Sequence, residues 1–242
     1  MKLADMHCHI LPGIDDGAPD EEMSTRMLRL EAAEGVSSII FTPHFKPEHH
    51  NASPRTVLKL TARMQEIAIQ ESLGIKVYAG NEILFFDEVP TLLEHGDVLT
   101  LAGSDHALIE FYPTELYDRI RSALYEVLAA GFTPIVAHVE RYLDIIGYPE
   151  RVNELIALGA EIQVNASTVM GKYGFSVRQI VRRLISRRSV HYIATDAHDD
   201  RRRAPLLSGC AHLIEKKYGT CCAGRILHDN ALNLIYSGSE EK

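Results

Sequence analysis

The sequence of 242 residues has no tryptophan and only four cysteines. The cysteines are Cys8, Cys210, Cys221 and Cys222, and their spacing forms neither a C-x-x-C pair nor a pattern typical of a disulfide framework. No apolar run is long enough to cross a bilayer, and no signal-peptide pattern precedes the first predicted strand. These absences predict a cytoplasmic protein with reduced thiols and no direct insertion into a membrane.

Positive charge is also scarce, because 25 Lys and Arg stand against 33 Asp and Glu, which gives a formal net charge of -8. A protein that coats nucleic acid needs a basic surface, so we expect no nucleic-acid partner. The arginines at 182, 183, 187 and 188 alternate with apolar positions of one predicted helix, and we interpret them as its solvated face. The acidic composition is still compatible with a phosphorylated substrate held by metal ions.

The common phosphate-binding and phosphatase loops are absent as well. Neither G-x-x-x-x-G-K-[ST] nor G-x-G-x-x-G occurs, which argues against the usual nucleotide-binding loops. A cysteine-dependent tyrosine phosphatase needs an arginine six residues after its nucleophile. The positions six residues after the four cysteines hold Ile14, Lys216, Leu227 and His228. Any phosphatase activity would therefore depend on metal ions.

Strand-like and helix-like segments alternate along the chain. An opening strand that ends near His9 is followed by apolar runs at 36–41, 75–79, 107–109, 133–137, 160–164 and 190–194, with helical patterns between most of them. Nearly continuous apolar strands are typical of a parallel sheet that is buried on both faces. A chain of this length commonly folds around one core, so residues 1–242 are predicted to form a single domain.

The opening strand carries a His-x-His pair. Side chains two residues apart in a strand point to the same side, so His7 and His9 can bind one metal ion. A turn rich in proline and glycine then returns a short carboxylate, Asp15 or Asp16, to the end of this strand. Taken alone, such a pair is often a chance occurrence, and the rest of the chain has to supply matching residues.

Potential metal ligands follow almost every predicted strand. The candidates are His7, His9, Asp16, His44, Glu82, Glu110, His138, Asp196 and His198. Each has a simpler explanation by itself, such as a core histidine or a solvated carboxylate. Their joint placement favours a β/α barrel, because the carboxyl ends of barrel strands converge on one mouth whereas an open sheet would separate them. One metal takes four to six ligands, so we expect two or three ions, with Mn, Fe and Zn all compatible with these donors.

The ordered motifs resemble one known family. The matching segments are 7–17 (HCHILPGIDDG), 42–44 (TPH), 80–83 (GNEI), 109–111 (IEF), 137–142 (AHVERY), 163–167 (QVNAS) and 195–198 (TDAH). Together they resemble the bacterial metal-dependent protein tyrosine phosphatases of the PHP (polymerase and histidinol phosphatase) superfamily, the type associated with capsular and exopolysaccharide synthesis. The resemblance runs from residue 3 to about residue 236.

The resemblance implies a distorted seven-stranded β/α (TIM-like) barrel of the PHP type and a three-metal site usually linked with manganese. It also implies hydrolysis of phosphotyrosine on a tyrosine autokinase that regulates polysaccharide export. The metal ligands would be the nine residues named above, with Glu82 as a bridge between ions. Two arginines near the metals would be Arg141 and Arg203, and the neighbours Arg201 and Arg202 leave the second assignment open by one or two positions.

Two other functions are compatible with the same residues. A PHP phosphatase of a small metabolite such as histidinol phosphate, or a metal-dependent nuclease-like relative, would use the same nine ligands. A regulatory binding protein with a structural metal site belongs to a different class, but a structural site needs only about four ligands. The loop 45–52 departs from the family pattern, which leaves the substrate preference open.

Overall fold

Nine short strands form in this computed structural model, which describes residues 1–47 and 49–240. They are β1 (Leu3–Cys8), β2 (Val36–Phe41), β3 (His44–Phe45), β4 (Lys76–Ala79), β5 (Glu82–Leu84), β6 (His106–Glu110), β7 (Thr133–Val136), β8 (Glu161–Asn165) and β9 (Tyr192–Ala194). One parallel sheet has the order β1-β2-β4, and the other has the order β3-β5-β6-β7-β8-β9. Residue 48 of the loop 45–52 and residues 241 and 242 of the predicted domain lie outside the described residues.

Backbone hydrogen bonds join the end of β1 to the segment after β9, although the two strands belong to different sheets. The amide of His9 donates to the carbonyl of Ala197 at 2.8 Å, and the amide of Asp196 donates to the carbonyl of His7 at 2.8 Å. The first and last strands of the chain therefore lie side by side. The structure confirms a mixed α/β fold built from curled parallel sheets.

The strand count differs from the predicted seven, because β3 and β5 are short additional strands that directly follow the predicted strands at 36–41 and 75–79. The first interruption falls at Pro43, which has no amide hydrogen to donate to a neighbouring strand. The second falls at Gly80 and Asn81. The side-chain amide of Asn81 donates to the carbonyl of Pro43 at 2.9 Å, so a side chain links the two interruptions.

Helices connect the strands. In the described residues they are α1 (Glu21–Ala33), α2 (Pro54–Gln70), α3 (Val89–His95), α4 (Tyr117–Ala129), α5 (Leu143–Ile146), α6 (Glu150–Leu158), α7 (Ala166–Met170), α8 (Phe175–Ser186), α9 (Ser208–Tyr218), α10 (Thr220–Gly224) and α11 (Asn230–Glu240). The helix α2 begins where the Ser53 hydroxyl accepts a hydrogen bond from the amide of Thr56, and Pro54 occupies the first turn. Among the described helices, none is both long and apolar enough to cross a membrane.

Buried apolar side chains form two clusters. The smaller one contains Met6 of β1, Leu108 of β6 and Ile135 of β7, and it packs against Leu234 of α11. The last helix therefore contacts side chains from several strands at once. The larger cluster fills the space between the sheets and the outer helices and includes Leu124 of α4. Since apolar atoms occupy both regions, the polar side chains collect where the strands end.

We expect Leu124→Ala to lower the free energy of unfolding by about 2–5 kcal/mol, because it leaves a cavity in a closely packed core. Leu124 is fully buried, whereas Leu116 near the start of the same helix is 67% exposed. Leu116→Ala is therefore the matched control and should change the stability by less than about 0.5 kcal/mol. Urea unfolding of both variants measures the difference, and equal losses would contradict this description of the core.

Candidate metal centre

The structure brings all nine predicted ligands into one cluster at the ends of the strands. Their donor atoms include three groups within which every atom lies within 4.8 Å of the others: His9, Asp16, His44 and His198; His7, His9 and Glu82; and His44, Glu82 and Glu110. The remaining two candidates border these groups. His138 Nε2 lies 2.8 Å from Glu82 Oε1, and Asp196 Oδ1 lies 3.6 Å from His9 Nε2.

Glu82 occupies the middle of this cluster. Its Oε1 atom lies 3.2 Å from His7 Nε2, and its Oε2 atom lies 3.3 Å from His9 Nε2 and 2.9 Å from His44 Nδ1. Burial by itself raises the pKa of a carboxyl group, but the surrounding imidazoles outweigh it and hold the pKa of Glu82 well below its usual range. The carboxylate of Glu82 therefore has histidine nitrogens beside both of its oxygens.

Asp196 connects the cluster to two arginines. Its backbone φ of 53° lies in the left-handed region, directly after β9. Arg141 Nη2 donates to Asp196 Oδ2 at 2.5 Å, and Arg203 Nη2 donates to Asp196 Oδ1 at 2.7 Å. Burial raises the pKa of Asp196, but His7 and Arg141 hold it below its ordinary value. The two guanidinium groups thus converge on one carboxylate at the edge of the cluster.

Arg203 is the member of the arginine triplet that makes this contact. The side chain of Arg201 is 88% exposed and lies 3.7 Å from Asp200, away from the cluster. The amides of Arg201, Arg202 and Arg203 all donate to Asp199 Oδ1, which folds this segment into a tight turn. The turn orients only the third arginine of the three toward Asp196.

The two neighbouring aspartates that the sequence left open have different positions. Asp16 Oδ1 lies 3.3 Å from His44 Nε2 and therefore belongs to the donor cluster. Asp15 lies behind it, where its Oδ2 atom accepts a hydrogen bond from His9 Nδ1 at 2.7 Å. This contact leaves His9 Nε2 free to face the cluster. A Cβ atom on Gly17 would lie only 2.1 Å from the carbonyl oxygen of His9, so the turn requires glycine there.

Two further residues support the cluster from β8, although neither was predicted as a site residue from the sequence. The Gln163 side-chain oxygen accepts from the amide of His138 at 2.6 Å and lies 3.3 Å from His7 Nδ1. The Gln163 amide nitrogen donates to Asn165 Oδ1, and Asn165 Nδ2 donates to Asp196 Oδ2 at 2.8 Å. Polar residues at alternate positions of an otherwise apolar strand were the signal that could have identified them.

The donor set fits divalent cations. His44 Nδ1, Glu82 Oε2 and His198 Nε2 are buried and lack a partner with hydrogen-bond geometry, although His44 Nδ1 lies only 2.9 Å from Glu82 Oε2. Burial lowers the pKa of His9, yet the carboxylates of Asp15 and Glu82 raise it to about 10. In the same way, Glu110 and Glu82 overcome burial and raise the pKa of His138 to about 9. The cluster therefore concentrates negative charge and unpaired donor atoms, both of which bound cations would satisfy.

Residues 3–236 match the sequence model of a family described as capsular polysaccharide synthesis, CpsB/CapC. This chain belongs to the CpsB/CapC family. The match covers every residue of the metal cluster and both arginines. The family resemblance inferred from the sequence is thereby confirmed.

Individual relatives of this CpsB/CapC chain agree with the family match. The tyrosine-protein phosphatase YwqE of Bacillus subtilis (strain 168) is 31% identical over 219 residues, which are 90% of this chain and 86% of that protein. One solved structure matches with a TM-score of 0.90 and 29% identity, and the match covers 97% of this chain and 95% of that one. It is described as YwqE from Bacillus subtilis and CpsB from Streptococcus pneumoniae, metal-dependent tyrosine phosphatases. The histidinol phosphate phosphatase of Lactococcus lactis shares the fold, with a TM-score of 0.61, 14% identity and coverage of 90% and 94%.

Asp15→Asn tests whether the hydrogen bond that Asp15 accepts from His9 supports metal binding by the cluster of this CpsB/CapC chain. An amide is a weaker acceptor for the His9 Nδ1 hydrogen than a carboxylate, so we expect the metal affinity to fall by about 10–100-fold with little change in melting temperature. Asp97→Asn, an exposed position outside the cluster, is the matched control. Isothermal titration with Mn²⁺ measures both variants, and an unchanged affinity in Asp15→Asn would contradict the role given to Asp15.

Proposed function

We propose that this protein is a metal-dependent phosphatase that hydrolyses phosphotyrosine on proteins. The observation that carries the proposal is the convergence of Arg141 and Arg203 on Asp196 at the edge of a nine-residue donor cluster. A structural metal site needs about four ligands and no arginines beside it. The excess of donors and the paired guanidinium groups favour catalysis on a phosphoryl group. The tyrosine phosphatase relatives support the choice of substrate.

The ligands in this proposal are the nine clustered residues, which would hold two or three ions. Manganese is our first choice, with iron or zinc as alternatives, because mixed imidazole and carboxylate ligands suit all three. When bound, such ions supply positive charge that activates water and polarises the phosphoryl group. Asp15, Gln163 and Asn165 orient the donors, and they remain outside the reaction itself.

Arg141 and Arg203 bind the substrate phosphate in this mechanism. Each guanidinium lies against Asp196 and is partly exposed, at 26% for Arg141 and 33% for Arg203, so it can reach an incoming anion. The planar fork donates two parallel hydrogen bonds to non-bridging oxygens as negative charge develops on them. A tyrosine phenol has a pKa of about 10, so its departure needs little help from a general acid.

We also infer that the nine strands together form a distorted seven-stranded β/α barrel of the PHP type. In this description β2 continues into β3, and β4 continues into β5. Backbone pairing across both interruptions supports it, because the amide of Gly80 donates to the carbonyl of Phe41 at 2.9 Å and the amide of Glu82 donates to Pro43 at 3.2 Å. The shared fold with a histidinol phosphate phosphatase gives further support.

The protein substrate in this proposal is a bacterial tyrosine autokinase that controls capsule or exopolysaccharide synthesis. The description of the family as capsular polysaccharide synthesis supports this choice. A kinase of this kind is phosphorylated where ATP is available, so we propose that the phosphatase acts in the cytoplasm.

Hydrolysis of a phosphotyrosine peptide tests the proposed activity. We expect the Mn²⁺-loaded protein to release phosphate from the peptide much faster than from histidinol phosphate, and we expect EDTA to abolish both reactions. Mn²⁺ should restore the activity better than Mg²⁺, because five histidine ligands disfavour a hard, oxygen-preferring ion. Preference for histidinol phosphate would overturn the substrate assignment, and full activity after thorough chelation would overturn the metal dependence.

Arg141→Ala tests the role of the arginine pair. Loss of a preorganised cationic donor typically lowers the rate by about two to three orders of magnitude, so we expect that decrease in kcat on the peptide. Arg141→Lys should recover only part of it, because an ammonium group lacks the fork geometry. Bound metal and melting temperature should stay near those of the control Arg201→Ala. Loss of metal from Arg141→Ala would show that Arg141 supports the site and does not act on phosphate.

A further inference from the structure

A cleft of ≈ 230 Å³ opens beside the metal cluster. Arg141, Asp196 and Arg203 form part of its lining, so the cleft shares Asp196 with the cluster and contains both arginines. A substrate whose phosphate lies between these guanidinium groups would extend its remaining atoms into this space. The cleft is therefore the surface that meets the part of a substrate next to its phosphate.

The cleft has an apolar wall. Met170 at the end of α7, Tyr173 in the following turn and Leu206 before α9 all line it. These large side chains are 46%, 47% and 57% exposed. Grouped apolar side chains that remain exposed beside a polar site mark a ligand-binding surface. A cavity of about 150 Å³ is enough to hold a benzene ring, so this cleft has room for a phenol ring.

A second cleft flanks the cluster on the side of His44, and its chemistry is different. It is lined mostly by polar and charged side chains, among them Lys46, His49, His50 and Asn51. Among the described residues that line this second cleft, Ile14 is the one aliphatic side chain, whereas Met170, Tyr173 and Leu206 line the first cleft. Of these two clefts, the one lined by Met170 is the better site for a tyrosyl ring.

The rim of the Met170 cleft is positively charged. Lys172 and Arg202 both line it, and Lys172 Nζ donates to the carbonyl of Arg202 at 2.9 Å, which holds the ammonium at the rim. Residues 172–225 contain twelve Lys and Arg against four Asp and Glu, in a chain whose net charge is -8. The helix α8 continues this basic region, and Arg178 Nε donates to the carbonyl of Val169 beside the cleft. A strongly acidic peptide is the partner that complements this region.

We propose that the Met170 cleft is the substrate subsite of this enzyme: its apolar wall packs against the tyrosyl ring, and Lys172 and Arg202 select acidic residues that flank the phosphotyrosine. This inference rests on the proposed phosphotyrosine phosphatase function and adds the residues that determine its specificity. Met170, Tyr173 and Leu206 contact the ring, whereas the two rim cations act on the residues next to it.

A matched pair of double variants tests the apolar wall. We expect Tyr173→Ala with Leu206→Ala to raise the KM for a phosphotyrosine peptide about tenfold, because aromatic and aliphatic contacts to one ring together contribute about 1.4 kcal/mol. The kcat, bound metal and melting temperature should change little. Tyr125→Ala with Leu116→Ala removes exposed side chains of the same two types at α4 and at the residue before it, and this control should leave the KM unchanged.

Charge reversal tests the rim. Two synthetic phosphotyrosine peptides of equal length carry either acidic or basic residues on both sides of the phosphotyrosine. We expect the Mn²⁺-loaded wild type to favour the acidic peptide about tenfold in kcat/KM at low salt and less at high salt. Lys172→Glu with Arg202→Glu should abolish or reverse this preference. Lys59→Glu with Arg121→Glu makes the same charge change on exposed positions of α2 and α4 and should preserve it.

The outcomes separate this inference from the proposed function. If the wild type hydrolyses phosphotyrosine peptides but the cleft variants behave like their controls, the subsite assignment is overturned and the phosphatase function stands. If the wild type hydrolyses neither peptide in the presence of Mn²⁺, the proposed function is overturned and the subsite with it. A tenfold rise in KM together with loss of the acidic preference would support the full proposal.

Discussion

The rest of the site depends on the burial of one carboxylate, Glu82, among histidine side chains. A buried carboxylate without compensating positive charge is strongly destabilising, since desolvation of an ion costs several kcal/mol. Glu82 is fully buried and lies within 3.3 Å of nitrogen atoms from His7, His9, His44 and His138. Protonated imidazoles or metal ions have to supply the missing charge. The same constraint therefore favours cations between these side chains, because without them the imidazoles have to carry the positive charge.

The backbone around the cluster is held in uncommon conformations by hydrogen bonds from outside the donor set. His138 and Asp196 follow β7 and β9 with φ values of 31° and 53°, in the region that residues with a side chain seldom adopt. Asp5 accepts from both the amide and the hydroxyl of Thr195, and this fixes the turn into Asp196. Burial, together with the nearby carboxylate of Asp5, raises the pKa of the adjacent Glu31 well above its usual range. The Gln163 side chain holds His138 in a comparable way from β8.

The sequence was most informative where spacing alone determines geometry. The two-residue period of a strand predicted that His7 and His9 lie on one side, and the structure brings both into one cluster, with His9 directly after the last residue of β1. Spacing could not decide whether Asp15 or Asp16 is the metal-ligand candidate. The answer depends on a turn in which Gly17 packs against the backbone of His9. Spacing could not predict β3 and β5 either, since strands of two and three residues have too little periodicity to detect. Which of the three arginines contacts Asp196 depends on a turn in which their backbone amides all donate to Asp199 Oδ1. No local sequence pattern predicts that turn.

The net charge of the whole chain was the least reliable predictor of the substrate, because it averages over an acidic part and a basic part of the sequence. The chain as a whole is acidic, yet residues 172–225 carry an excess of arginine and lysine, and Lys172, Arg202 and Arg203 of this region line the cleft. An anionic substrate responds to the local field at the mouth of the site, where four cations stand against Asp196 in the lining of the cleft: Arg141, Lys172, Arg202 and Arg203. Of the four arginines that we interpreted as a solvated face, Arg182 and Arg183 lie in α8 and Arg187 and Arg188 follow it. Such side chains can be exposed to water and still contribute to this field. The acidic composition thus argues against general binding of nucleic acid, while it leaves room for selective attraction of an acidic phosphorylated peptide to one side of the metal cluster.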